Sequence, residues 1–161
     1  MLTAVSFRGH EEYVHLPGLI TSIKHSHIYL IMPNGHGIVD LSCVLVGASV
    51  GAACRWYTTQ LKPFVSKPYI GILALNGVGS LILGGLYGIQ TRMKVNSRVG
   101  LLLGVGFCGA MTTFSTFSVD VLKFVENNEI AKAGLYVVGS NVTGIGAAFG
   151  GFQLARKVIR K

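Results

Sequence analysis

The sequence predicts an all-α membrane protein with four transmembrane helices, and three observations carry that reading. Only 12% of its 161 residues are charged while 50% are apolar, where a soluble domain carries charge at about a quarter of its positions. Charge-free runs cover residues 41–54, 69–91 and 99–119. The basic residues fall between and after the apolar runs: Arg92, Lys94 and Arg98 in one connection, and Arg156, Lys157, Arg160 and Lys161 behind the last. Juxtamembrane cations facing anionic headgroups account for the formal net charge of +8 and leave no need for a nucleic-acid partner. Membrane lipid is the expected surrounding.

Residues 1–37 differ from the rest and read as an N-terminal extension, peripheral or disordered. They hold all five histidines, with no metal-ligand spacing, and one apolar patch, IYLIM at 28–32, too short to cross a bilayer. They also lack the basic, apolar, small-residue order of a cleavable leader. Residues 38–155 form the transmembrane domain, with spans at about 38–57, 69–90, 99–122 and 131–154, each long enough for roughly 30 Å of hydrocarbon at 1.5 Å per residue. The connections LKPFVSKP, TRMKVNSR and the stretch around ENNE carry the turn and charge signals. Residues 156–161 are a basic C-terminal tail. Cys43, Cys54 and Cys108 form no zinc spacing and read as small buried thiols.

Glycines recur four apart within the spans: Gly47 and Gly51, Gly84 and Gly88, Gly100 and Gly104, Gly146 and Gly150. Each pair shares a helix face and predicts close backbone approach. An even number of spans puts Arg8, Lys24, Arg92, Lys94, Arg98 and the four basic tail residues on one side. Lys62, Lys67, Lys123 and Lys132, with Arg55 at a span end, lie on the other. That bias favours cytoplasmic termini.

A polar side chain in hydrocarbon needs a reason. Asn76 stands in GILALNGVGSLILGG with Ser80 one turn further, and the fourth span repeats the pattern with Tyr136, Ser140 and Thr143. The third span carries TTFSTFS at 112–118, five hydroxyls in seven residues, too many for one helix face. Either the helix breaks there or the hydroxyls face both a neighbour and a wet pathway. Asp40 and Asp120 lie near the predicted span ends, so no carboxylate is placed deep enough to neutralise an organic cation. Asn, Ser, Thr and Tyr donors with the ring edges of Phe114 and Phe117 instead suit a small, strongly accepting anion.

These residues resemble the CrcB/Fluc family of fluoride channels over about residues 44–154. GASVGAACRWY at 47–57 is similar to its glycine-spaced opening and LNGVGS at 75–80 to its second span. GFCGAMTTFSTFSVD at 106–120 is similar to its signature, and YVVGSNVTG at 136–144 to its fourth span. The resemblance implies a four-helix subunit with a broken third helix. Two such subunits would form an antiparallel, dual-topology dimer, either a homodimer or a pair with an oppositely oriented paralogous subunit. It implies a fluoride pathway at Asn76, Phe114, Thr116, Phe117, Tyr136 and Ser140, and a structural sodium ion at the dimer centre held by the carbonyls of Gly109 and Thr112. The implied activity is passive fluoride export across the cell inner membrane or plasma membrane, with no enzymatic step. Two other readings compete with it. A small multidrug exporter has the same span number but needs the missing buried acid, and a non-transporting structural subunit would use the glycines and Asn76 for packing alone.

Overall fold

A computed structural model of the chain describes residues 37–159. The five histidines, the IYLIM patch, Arg160 and Lys161 lie outside the described residues. Helix α1 runs Gly37–Gln60, the short α2 Lys62–Val65, and α3 Pro68–Gln90. A third span begins with α4, Ser97–Val99, continues as a π-helical run Gly100–Cys108 and α5, Gly109–Met111, and resumes after an interruption as α6, Phe114–Glu126. Helix α7 covers Ile130–Val158. Four stretches, Gly37–Gln60, Pro68–Gln90, Ser97–Glu126 and Ile130–Val158, are long and apolar enough to cross a membrane. The chain is a multi-pass membrane protein.

Local chemistry sets the helix ends. Pro68 opens α3, where a missing amide hydrogen costs nothing. Asn96 caps α4 by accepting from the Arg98 amide at 3.0 Å. Helix α6 closes on Asn128 at φ 59°, a left-handed position that asparagine tolerates. The Glu129 amide then reaches back to the Phe124 carbonyl at 2.8 Å, and α7 starts at once. The connection LKPFVSKP, which carries turn and charge signals, contains α2, whose Pro63 lies in a single helical turn.

Helix α1 packs on the π-helical run, and α3 packs on α7. Glycine makes both contacts possible. A methyl on Gly47 would strike the Leu102 carbonyl, one on Gly51 the Phe107 carbonyl, and one on Gly106 would lie 2.6 Å from the Val44 carbonyl. Between α3 and α7 the same holds for Gly84 against the Ala148 carbonyl, and Gly88 lies 2.7 Å from the Phe152 carbonyl by the same measure. These matches rise together along both helices, so α3 and α7 run parallel and end on the same side. The pair Gly146 and Gly150 does not make the contact its spacing predicts: nothing lies within 4 Å of a methyl on Gly146, and Gly151 meets the Leu81 carbonyl. The π-helical run also departs from a regular helix, since the Gly109 amide reaches Gly104, five residues back. Of the three thiols only Cys108 is buried; Cys43 is half-buried and Cys54 lies on the exposed side of α1.

Candidate functional site

The site forms where the third span is interrupted. Thr112 (φ −80°, ψ 155°) and Thr113 (φ −152°, ψ 120°) take extended backbone between α5 and α6. The Thr112 hydroxyl donates to the Cys108 carbonyl at 2.9 Å, closing the end of α5. Thr113 caps α6: its hydroxyl accepts from the Thr116 amide at 3.2 Å, donates to the Thr116 hydroxyl at 3.2 Å, and lies 3.0 Å from that of Ser115.

Asn76, from α3, clasps this irregular peptide. The Thr113 amide donates to its Oδ1 at 2.9 Å, and its Nδ2 donates to the Thr113 carbonyl at 3.3 Å. Extended backbone at membrane depth is tolerable only where protein satisfies it, and Asn76 does that. The amides of Thr113 and Thr116 would close on the Gly109 and Thr112 carbonyls in an unbroken helix. Here they go to Asn76 and to the Thr113 hydroxyl, so two carbonyls on the same turn lose their helical donors.

One turn away on each helix lies the apolar layer Ile72, Phe117 and Tyr136, all buried. Phe117 and Tyr136 have ring centroids 5.2 Å apart, and Phe114 continues the row at 5.4 Å from Phe117. The row ends on Tyr69 and Phe124, which meet the Tyr136 ring edge-on at 5.8 and 5.9 Å. Phe114 is 78% exposed, an unusual setting for the end of an aromatic row. Ser140 sits one turn past Tyr136, and the parallel register of α3 and α7 sets it at the level of Asn76. Ser80 continues on α3, 3.6 Å from where a methyl on Gly144 would stand. The Tyr136 hydroxyl and Ser140 Oγ are buried with no hydrogen-bond partner.

All eight residues singled out in the sequence lie on the interruption or the layers beside it: Asn76, Gly109, Thr112, Phe114, Thr116, Phe117, Tyr136 and Ser140. Sequence reasoning missed Thr113 as the clasped peptide, although a hydroxyl ahead of the amphipathic run FSTFSVDVLKF is a helix-start signal. It also placed Asp120 at a span end. Asp120 is 5% exposed within α6, its Oδ1 accepting from Lys123 Nζ at 3.2 Å and its Oδ2 without a partner. The helix continues to Glu126, a turn beyond the expected end, and carries the carboxylate inward.

Residues 42–152 match the model of the CrcB-like protein, Camphor Resistance (CrcB) family. The fluoride-specific ion channel FluC of Pyrococcus furiosus is 35% identical over 119 residues, covering 73% of this chain and 97% of that protein. The protein of the same name from Thermococcus gammatolerans is 39% identical over 115 residues, 71% and 94% of the two chains. Fluoride-specific ion channel FluC 1 of Streptomyces avermitilis is 39% identical over 116 residues, 70% and 93%.

Proposed function

Because the chain belongs to the CrcB family, we propose that it is a fluoride channel that lets the anion leave the cytoplasm passively, limiting its toxicity. The observation that carries this reading is the pair of buried hydroxyls without partners, Tyr136 and Ser140, set on one helix face beside Phe117 and Asn76. A buried donor left unpaired costs about 1–3 kcal/mol, and a passing anion restores the bond. Fluoride gives up a tight hydration shell to enter a narrow path, so donors must follow one another closely. Asn76 has spent one Nδ2 hydrogen on Thr113 and keeps a second; Tyr136 and Ser140 offer hydroxyls one turn apart, and Thr116 another at the interruption. Phe114 and Phe117 present ring edges, the positive rim of the aromatic quadrupole. No fixed cation stands among these groups, which suits conduction, since binding must stay weak enough for release.

A single subunit leaves Phe114 exposed. An antiparallel dimer, with a second copy or with an oppositely oriented relative, would cover it and bring two interruptions of the third span together as the family's broken helix. The carbonyls of Gly109 and Thr112, stripped of helical donors, are a neutral hard-oxygen set that fits an alkali cation. These carbonyls from both subunits would hold a structural sodium ion, which would supply fixed positive charge at the dimer centre. Metal content after purification in sodium-free buffers tests that assignment; indifference of content and dimer stability to every alkali ion removes it.

Efflux from liposomes holding only this protein, read with fluoride and chloride electrodes in parallel, tests the function. Fluoride release without chloride release is expected. Release of neither ion from folded, dimeric protein would favour a structural subunit instead.

A further inference from the structure

In the half of the membrane where α3 begins, α3 and α7 stand apart, and we infer that the groove between them binds one acyl chain of a phospholipid whose phosphate meets the lysines at its mouth. The sequence sets Ile70, Ala74, Val78 and Leu81 on one face of α3. With Thr143 and Ala147 of α7 they line an open groove of about 440 Å³. Its walls expose only apolar atoms, Thr143 setting its methyl 3.2 Å from where one on Gly77 would stand. Past Leu81 the seam closes, because the Gly84 and Gly88 backbones come against the Ala148 and Phe152 carbonyls and Leu81 itself leans on Gly150. The Tyr69 and Tyr136 rings, 5.8 Å apart, span the seam without lining the groove. The aromatic row thus shuts one side of the seam, and the groove opens on the other.

Length and charge select the occupant. From Ile70 to Leu81 the groove runs about 16 Å at 1.5 Å per residue, half of the roughly 30 Å of hydrocarbon, so it ends where one leaflet ends. A transmembrane helix of a second copy is about 10–12 Å wide and crosses both leaflets, and past Leu81 it finds no groove to continue in. An acyl chain needs only the open half. At the mouth, Lys67 is exposed one turn before Ile70, whose amide donates to the Lys67 carbonyl at 3.0 Å. Lys62 stands on α2, which packs Phe64 on Gly71 beside the same mouth. Neither lysine forms an ion pair among the described residues, and no acidic residue lies between Asp40 and Asp120 in the sequence. Both cations are therefore free for a headgroup phosphate. Leu73 lines the groove and packs on the layer of Ile72, Phe117 and Tyr136, so a seated acyl chain backs that layer from behind.

The test is mass spectrometry of the full chain released from mild detergent after incubation with palmitoyl-oleoyl phosphatidylglycerol. One lipid per subunit should stay bound to the parent and to Val142→Phe, which adds bulk at an exposed position of α7 outside the groove. Ala74→Phe fills the groove from an exposed position; it should melt with the parent in lipid-free detergent and retain no lipid. Lys67→Gln should bind about fivefold more weakly, the share of one lysine near a headgroup surface. A parent that holds no lipid, or Ala74→Phe and Lys67→Gln variants that hold it as the parent does, would overturn the inference. So would failure of vesicles with brominated acyl chains to quench the fluorescence of Ala74→Trp made together with Trp56→Phe, since a protein partner would then cover the groove. Neither readout involves fluoride, so a failed efflux assay and a failed lipid assay count against different conclusions.

Discussion

The side-chain amide of Asn76 clasps the Thr113 peptide by both its polar atoms, accepting from the amide at 2.9 Å and donating to the carbonyl at 3.3 Å. The residue therefore does two things, since it satisfies the interruption and keeps a hydrogen for an anion. Asn76→Ala removes both and leaves a Thr113 amide unpaired at membrane depth, a loss of about 1–3 kcal/mol. Asn76→Asp keeps the acceptor but replaces the donor with charge. Both variants should lower the melting temperature in detergent and abolish efflux. If Asn76→Ala melts like the parent, the clasp is not what holds the interruption.

The spans, their order and the composition of the site were legible because each rests on a local pattern: charge-free length, glycine spacing, and hydroxyls where oil is expected. The Thr113 clasp was not, because it joins residues 37 apart in sequence, and no periodicity reports which of five hydroxyl residues turns its backbone toward Asn76. Asp120 was misplaced for a related reason. A carboxylate three residues before a lysine resembles a span end, and only the continuation of α6 to Glu126 shows the pair lying within the helix. Gly146 followed a spacing rule that applies to any face of a helix, and packing against α3 selected Gly151.

Tyr136→Phe and Ser140→Ala separate transport from folding. Each removes a buried hydroxyl that has no partner in the subunit, so stability should stay level or rise by up to about 1 kcal/mol. If the hydroxyls serve a passing anion, fluoride efflux falls at least about tenfold, the equivalent of one lost hydrogen bond in the path. Initial efflux rates and melting curves on the same preparations check both halves.

The two phenylalanines should respond differently in stability and alike in flux. Phe114 is largely exposed in the subunit while Phe117 is 8% exposed and packed against Tyr136 with the two rings tilted by 43°. Phe114→Leu should leave the subunit fold unchanged, and Phe117→Leu should cost about 1–2 kcal/mol through lost ring contacts. Neither leucine offers a polarised ring edge, so both should slow fluoride release strongly while leaving cross-linking of the proposed dimer as in the parent. Flux that survives both changes removes the rings from the pathway.

The buried carboxylate makes a sharper case. Asp120 is paired with Lys123, whose side chain is 60% exposed, while Asp120 Oδ2 faces inward with no donor. Asp120→Asn would strip the charge and keep the shape, leaving Lys123 an amide oxygen in place of its charged partner and free to reach water. The fold should therefore hold, with a change in melting within about 1 kcal/mol, because the exposed lysine loses little. A fixed negative charge close to the Tyr136 row repels an anion, so its removal should raise fluoride occupancy and alter the rate; efflux measured over a range of fluoride concentrations would show a lower half-saturation. An unchanged concentration dependence would place Asp120 outside the anion's path.

Gly84 and Gly146 test the packing that frames the site. Both are glycines on facing spans, yet a methyl on Gly84 would run into the Ala148 carbonyl and one on Gly146 would meet nothing within 4 Å. Backbone cannot step aside as a flexible side chain can, so Gly84→Ala must push α3 away from α7 and carry Asn76 off the Thr113 peptide. Overpacking of this kind costs about 1–3 kcal/mol, and the lost clasp adds to it. Gly84→Ala should thus lose both melting temperature and efflux. Gly146→Ala should leave the subunit's melting unchanged and gain slightly in helix propensity; under the proposed dimer, any loss of activity there would come from contact between subunits and would appear as weaker cross-linking.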